Sequence, residues 1–121
     1  MITVKATREG LVGHKTASGY IIDKVVPFVA LPYWAVVGRF LKVLNPENGR
    51  WAYAVVLDVG PWNTHDRDYV LDGARPQAES GTDTTGRTTN AAGIDLGERV
   101  WFLLGMTDNG PVSWEFLSNG E

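Results

Sequence analysis

Residues 45–61, Asn45-Pro46-Glu47-Asn48-Gly49-Arg50-Trp51-Ala52-Tyr53-Ala54-Val55-Val56-Leu57-Asp58-Val59-Gly60-Pro61, decide the fold. Asn45 to Gly49 is a strong turn signal: proline presets φ, and asparagine and glycine tolerate left-handed backbone. In Trp51–Val59, Trp51, Tyr53, Val55 and Leu57 share one face of a strand, and Ala52, Ala54 and Val56 share the other. The run Val36–Leu44 before the turn completes a hairpin. A face of alanine and valine lets neighbouring backbones approach closely and implies packing inside a tight barrel. The second strand stops abruptly at Asp58 and the Gly60-Pro61 turn.

Outward from this hairpin the chain reads mostly as short strands. Ile2–Thr7 alternates, Tyr20–Val26 and Phe28–Leu31 are split by Pro27, and Val112–Leu117 is a closing strand. After Asp95, the apolar residues Leu96, Val100, Leu103 and Leu104 recur at three- and four-residue steps with Gly105 as a stop, which predicts a helix. Asp95 and Glu98 have the spacing of a capping box, although Val100–Leu104 also suits a buried strand. Asp72–Ala92 (DGARPQAESGTDTTGRTTNAA) is almost free of large apolar side chains and reads as a long polar loop or flap.

With 121 residues, 44% hydrophobic and 21% charged, the chain suits a single globular domain spanning 1–121. Fourteen Gly and six Pro make long helices unlikely to fit, so a mainly β fold with one or two short helices is expected. The net charge is -3 and the basic residues are scattered singly, which argues against a nucleic-acid partner. No apolar run approaches the ~20 residues of a membrane span. The absence of Cys removes disulfides, thiolate zinc sites and cysteine nucleophiles together. The start, Met1-Ile-Thr-Val-Lys-Ala-Thr, lacks the pattern of a signal peptide. Of the two histidines, neither His14 nor His65 has a partner at helical spacing, and His65-Asp66-Arg67-Asp68 reads as a solvated turn. No metal and no cofactor is expected.

Three clusters carry candidate chemistry: Gly13-His14-Lys15-Thr16-Ala17-Ser18-Gly19-Tyr20, then Leu57-Asp58-Val59-Gly60-Pro61-Trp62, then Ala92-Gly93-Ile94-Asp95-Leu96. Read locally, Asp95 is a helix N-cap, Asp58 closes a turn, and Thr16 and Ser18 are solvated loop hydroxyls. In their order and spacing the clusters resemble double-psi β-barrel domains of the rare lipoprotein A type, the aspartate-rich domain of membrane-bound lytic transglycosylase A, and expansins. The resemblance rests on Thr16-Ala17-Ser18-Gly19, Asp58-Val59-Gly60-Pro61 and Ile94-Asp95-Leu96, and extends from about Gly13 to Leu117.

That resemblance implies a six-stranded double-psi β-barrel whose groove takes a polysaccharide, in first place the peptidoglycan glycan strand. Asp95 then matches the general acid and base, and Asp58 the carboxylate beside it. Thr16, Ser18, Tyr20 and His14 line the groove, and Trp62 stacks on sugar. Trp51 and Trp101 are assigned to the core or its margin. A second carboxylate and apolar flanks raise the pKa of an acid that must carry a proton near neutral pH. Whether the outcome is an anhydro ring, as in a lytic transglycosylase, or hydrolysis stays open. The third acid of the aspartate-rich domains is missing at Val29-Ala30-Leu31-Pro32, which keeps a non-catalytic, expansin-like binder as the alternative. A structural barrel of a phage or envelope assembly is a further one. A wall substrate would place the protein in the envelope, outside the cell, or on a virion.

Overall fold

The computed structural model describes residues 1–117. Its strands are β1 (Ile2–Arg8), β2 (Phe28–Leu31), β3 (Phe40–Leu44), β4 (Trp51–Val59), β5 (Ala92–Leu96) and β6 (Gly110–Phe116). They close into a barrel in the order β1-β5-β2-β4-β3-β6. The pairs β1/β5 and β2/β4 are parallel, and the other four are antiparallel. Two short helices, α1 (Arg67–Asp72) and α2 (Glu98–Leu103), pack outside the barrel wall.

The hairpin forms as its sequence dictates. Within the turn, Gly49 N–H donates to Asn45 O at 2.9 Å, and the buried Asn45 side chain donates to Leu104 O at 3.0 Å, docking the turn on the end of α2. Ala52, Ala54 and Val56 face the core with Val29, Leu31, Leu41, Val43, Ile94 and Leu96. The larger face points outward. Trp51, expected in the core or at its margin, is 49% exposed there, in an edge-to-face pair with Tyr53. Trp101 is half-buried against the Arg8 guanidinium.

The expected helix from Asp95 is a strand up to Leu96, and α2 begins only at Glu98. Asp95 is therefore no helix cap. Ile94 and Leu96 both enter the core, so the two-residue period overrides the three- and four-residue one. Gly97 then turns the chain. A Cβ at Gly97 would lie 2.4 Å from the Phe28 ring, so only glycine permits the close approach that its N–H makes to Phe28 O at 3.0 Å. Val100 and Leu104 are fully buried in the helical segment that follows.

Three other boundaries moved. Residues 20–26 form a turn, held by Asp23 Oδ1, which accepts from the Tyr20 hydroxyl and from Val25 and Val26 N–H. The strand expected from Val36 begins at Phe40, after a 3-10 turn at Trp34–Val36 and Gly38 at φ 94°. His65-Asp66-Arg67-Asp68 leads into α1 rather than a solvated turn: Asp66 is 2% exposed and accepts Gln77 N–H at 2.7 Å. The polar segment 72–92 lies on the surface but is anchored, with Ala78 and Asp83 buried.

Candidate functional site

Register places the two aspartates. Ala30 pairs with Asp95 across β2/β5 and with Asp58 across β2/β4, and Asp95 pairs with Thr7 across β5/β1. Thr7, Asp95, Ala30 and Asp58 thus form one row over four neighbouring strands. With strands spaced about 4.8 Å, the two aspartate backbones stand roughly 10 Å apart. Small Ala30 between them leaves their side chains a common space.

Strand alternation alone would turn Asp58 inward, two residues after the core residue Val56. A register shift prevents it: Val29 pairs with Val56 but Ala30 with Asp58, so Leu57 is a bulge. A matching shift in β5 skips Gly93, between Ala92 (opposite Lys5) and Ile94 (opposite Ala6). A Cβ at Gly93 would lie 2.9 Å from the Tyr69 hydroxyl and from Pro76, so the bulge requires glycine.

A third acid joins them. Glu9 follows β1, its N–H donating to Leu96 O at 2.9 Å, and lies two residues past Thr7 on the same face. Its Oε2 is buried without a hydrogen-bond partner. The sequence reading ended its first strand at Thr7 and missed Glu9. The signal was the polar period of Thr3, Lys5 and Thr7, which continues to Glu9. The segment Val29-Ala30-Leu31-Pro32 carries no acid, and Glu9 stands just past the end of β1.

The three carboxyls differ in surroundings. Asp58 Oδ1 accepts N–H donors from Ala17 and Val59, each at 2.9 Å. Asp95 Oδ1 accepts the Thr7 hydroxyl, while its Oδ2 lies 3.6 Å from where a Cβ on Gly60 would sit. Burial pushes Asp95 up to about 6; the Thr7 hydroxyl opposes the shift and the charge of Asp58 adds to it. Burial above all, with the neighbouring charges of Asp58 and Asp95, pushes Glu9 up to about 9. A carboxyl raised that far keeps its proton at neutral pH. Among the described residues none of the three acids is in an ion pair, and no group of three or more acids, histidines or cysteines is set to hold a metal.

The Thr16–Gly19 segment is tied to the acids through Ala17 N–H. Thr16 is buried and its hydroxyl lies 2.9 Å from that of Ser18, which is exposed. Tyr20 spends its hydroxyl on Asp23 and packs edge-to-face on Phe28. His14 is exposed. Trp62, two residues past Gly60, is half-buried and donates its indole N–H to Asn90 Oδ1 at 2.7 Å.

Residues 1–115 match the family described as "Domain of unknown function (DUF8814)". A comparison with curated proteins gave no match. Among solved structures, cerato-platanin 3 from M. perniciosa aligns with a TM-score of 0.55 at 10% identity, over 97% of this chain and 95% of that one. The D137A mutant of the GH45 endoglucanase EG27II in complex with cellobiose aligns with a TM-score of 0.48 at 14% identity, over 96% and 80%. The likeness to the first is one of fold: the barrel is a double-psi β-barrel, as the sequence motifs led one to expect.

Proposed function

We propose that this chain, which belongs to the DUF8814 domain family, cleaves glycan strands, with bacterial peptidoglycan as substrate and Asp95 as the group that carries the proton. The observation that supports this most is the meeting of Glu9, Asp58 and Asp95 on the outer barrel face without a basic partner. Its motifs, which resemble those of rare lipoprotein A and lytic transglycosylase domains, supply the substrate class.

In this reading protonated Asp95 delivers its proton to the leaving glycosidic oxygen as the bond from the anomeric carbon breaks. The Asp95 carboxylate left behind takes the proton of the muramoyl 6-hydroxyl. That oxygen closes on the anomeric carbon as an anhydro ring, and Asp95 is protonated again. Asp58, held by two backbone N–H groups, keeps Asp95 protonated by its negative charge and steadies developing positive charge at the sugar. Neutral Glu9 fixes the Asp58 carboxylate as a positioning residue. The binder alternative was motivated by a missing third acid, and Glu9 removes that motive.

Mass spectrometry of soluble products from purified sacculi tests the reading. Anhydro-muropeptides are expected with the unaltered protein and none with Asp95→Asn, whose fold should persist. Equal product release by the variant would overturn the role of Asp95.

A further inference from the structure

A cavity of about 340 Å³ lies between the turn after β4 and the 83–87 loop. Its walls include Trp62, Asn63, Gln77, Thr84, Thr85 and Arg87. Resting on the glycan reading above, we infer that this cavity is a subsite for one uncharged sugar ring of the strand, stacked on Trp62 and hydrogen-bonded by the amides and hydroxyls around it.

The charge balance favours an uncharged ring. Arg87 Nε lies 2.7 Å from Oδ2 of the buried Asp83, so the two charges cancel, while the guanidinium stays exposed and stands 6.0 Å from the centre of the Trp62 ring. Asp83 Oδ1 is filled by Thr85 N–H, the Thr85 hydroxyl and Arg87 N–H. Besides that guanidinium a ligand meets the indole, amides and the hydroxyls of Thr64 and Thr84, with His65 as the other titratable group. Such a wall matches a ring with apolar C–H faces and hydroxyls at its edge, rather than a phosphate or an ammonium group.

The wall is also set in place beforehand. Asn63 is buried, and its Oδ1 accepts Thr84 N–H at 2.8 Å, which orients the amide and leaves its NH2 donors without a partner among the described residues. Trp62 has φ 63°, a conformation side chains rarely adopt, and its indole is held by Asn90. Fixed walls spare a ligand the cost of ordering them.

Two links join this wall to the acids. Asn90 Oδ1, which takes the indole N–H, also accepts Ala92 N–H at 3.1 Å, the first residue of the strand that carries Asp95. Gly60, two residues before Trp62, borders Asp95 Oδ2. A strand cut at Asp95 therefore has its neighbouring unit within reach of Trp62, and the subsite fixes which bond meets the acid.

The test is an amide and indole NMR titration of Asp95→Asn with the N-acetylglucosamine tetramer, so that no turnover occurs. Saturable shifts are expected at the Trp62 indole N–H and at the Asn63, Thr84 and Thr85 amides. Adding Trp62→Ala should weaken binding at least tenfold, and adding Trp62→Phe, which keeps a ring, less than threefold. Shifts that avoid these groups, unaltered affinity with Trp62→Ala, or stronger shifts with inorganic phosphate than with saccharide would each overturn the subsite. Binding in the cavity by a protein that never cleaves sacculi would sink the catalytic reading and keep the subsite. Cleavage with no cavity shifts would do the reverse.

Discussion

Glu9 and Asp58 stand close together as two acids, and burial, with the charge of Asp58 beside it, holds the proton on Glu9. The pair stands at the end of β1 and the end of β4, strands that do not touch. It is the barrel's curvature and the Thr16–Gly19 segment over Asp58 that bring them into one space.

Stability should fall as pH rises. The unfolded chain releases the Glu9 proton near the ordinary value of 4.5, whereas the folded protein keeps it up to about 9. Between these values the native state binds more protons, so the contribution is full below pH 4.5 and is lost toward pH 9. Asp95 acts in the same direction between 3.8 and about 6. Discounted for solvent access, the loss is on the order of 1–2 kcal/mol, or about 3–5 °C in Tm per kcal/mol. Thermal melts at pH 5.5 and 8.5 should show this drop, and Glu9→Gln should abolish most of it. A wild-type Tm that is level or higher at pH 8.5 contradicts the assignment.

Asp58→Asn and Thr7→Val should move the alkaline limb of the cleavage rate in opposite directions. As the proton donor, Asp95 is active below its pKa of about 6, and the rate falls toward tenfold per unit above it. Removing the Asp58 charge lowers that pKa and shifts the limb to lower pH. Removing the Thr7 hydroxyl, which stabilises the carboxylate, raises it. Initial rates between pH 4.5 and 8 measure both, and shifts of the same sign would refute the geometry.

Gly97→Ala should destabilise the fold by about 2 kcal/mol or more, because the new methyl meets the fully buried Phe28 ring at 2.4 Å. Gly97 has φ -65°, so backbone strain contributes nothing. Phe28→Leu alone costs about 1 kcal/mol, yet in combination it should recover part of the Gly97→Ala loss. Denaturant melts of the two single variants and the double one decide it; strict additivity would place the cost elsewhere.

The sequence made β4 and its hairpin legible because alternation there is strict and the turn residues are decisive. Asp58 and Asp95 were legible only through motif resemblance. Local pattern misled at both: period two aims Asp58 at the core, and the capping-box spacing aims Asp95 at a helix. The bulge at Leu57 reverses the first and the burial of Ile94 and Leu96 in β5 the second, and both answer to partner strands distant in sequence. Glu9 was missed for the same reason, since a lone glutamate after a strand gains meaning only beside Asp58. Helix α1 was not foreseen, as its burial comes from Tyr69 reaching across to Gly93 O and Trp114.

The position of β5 between β1 and β2 has a consequence for the growing polypeptide. Until residue 95 has threaded between strands made some ninety and sixty residues earlier, Asp95 does not stand in one row with Asp58. A ribosome-bound intermediate therefore lacks the proposed site, which is complete only once the barrel has closed.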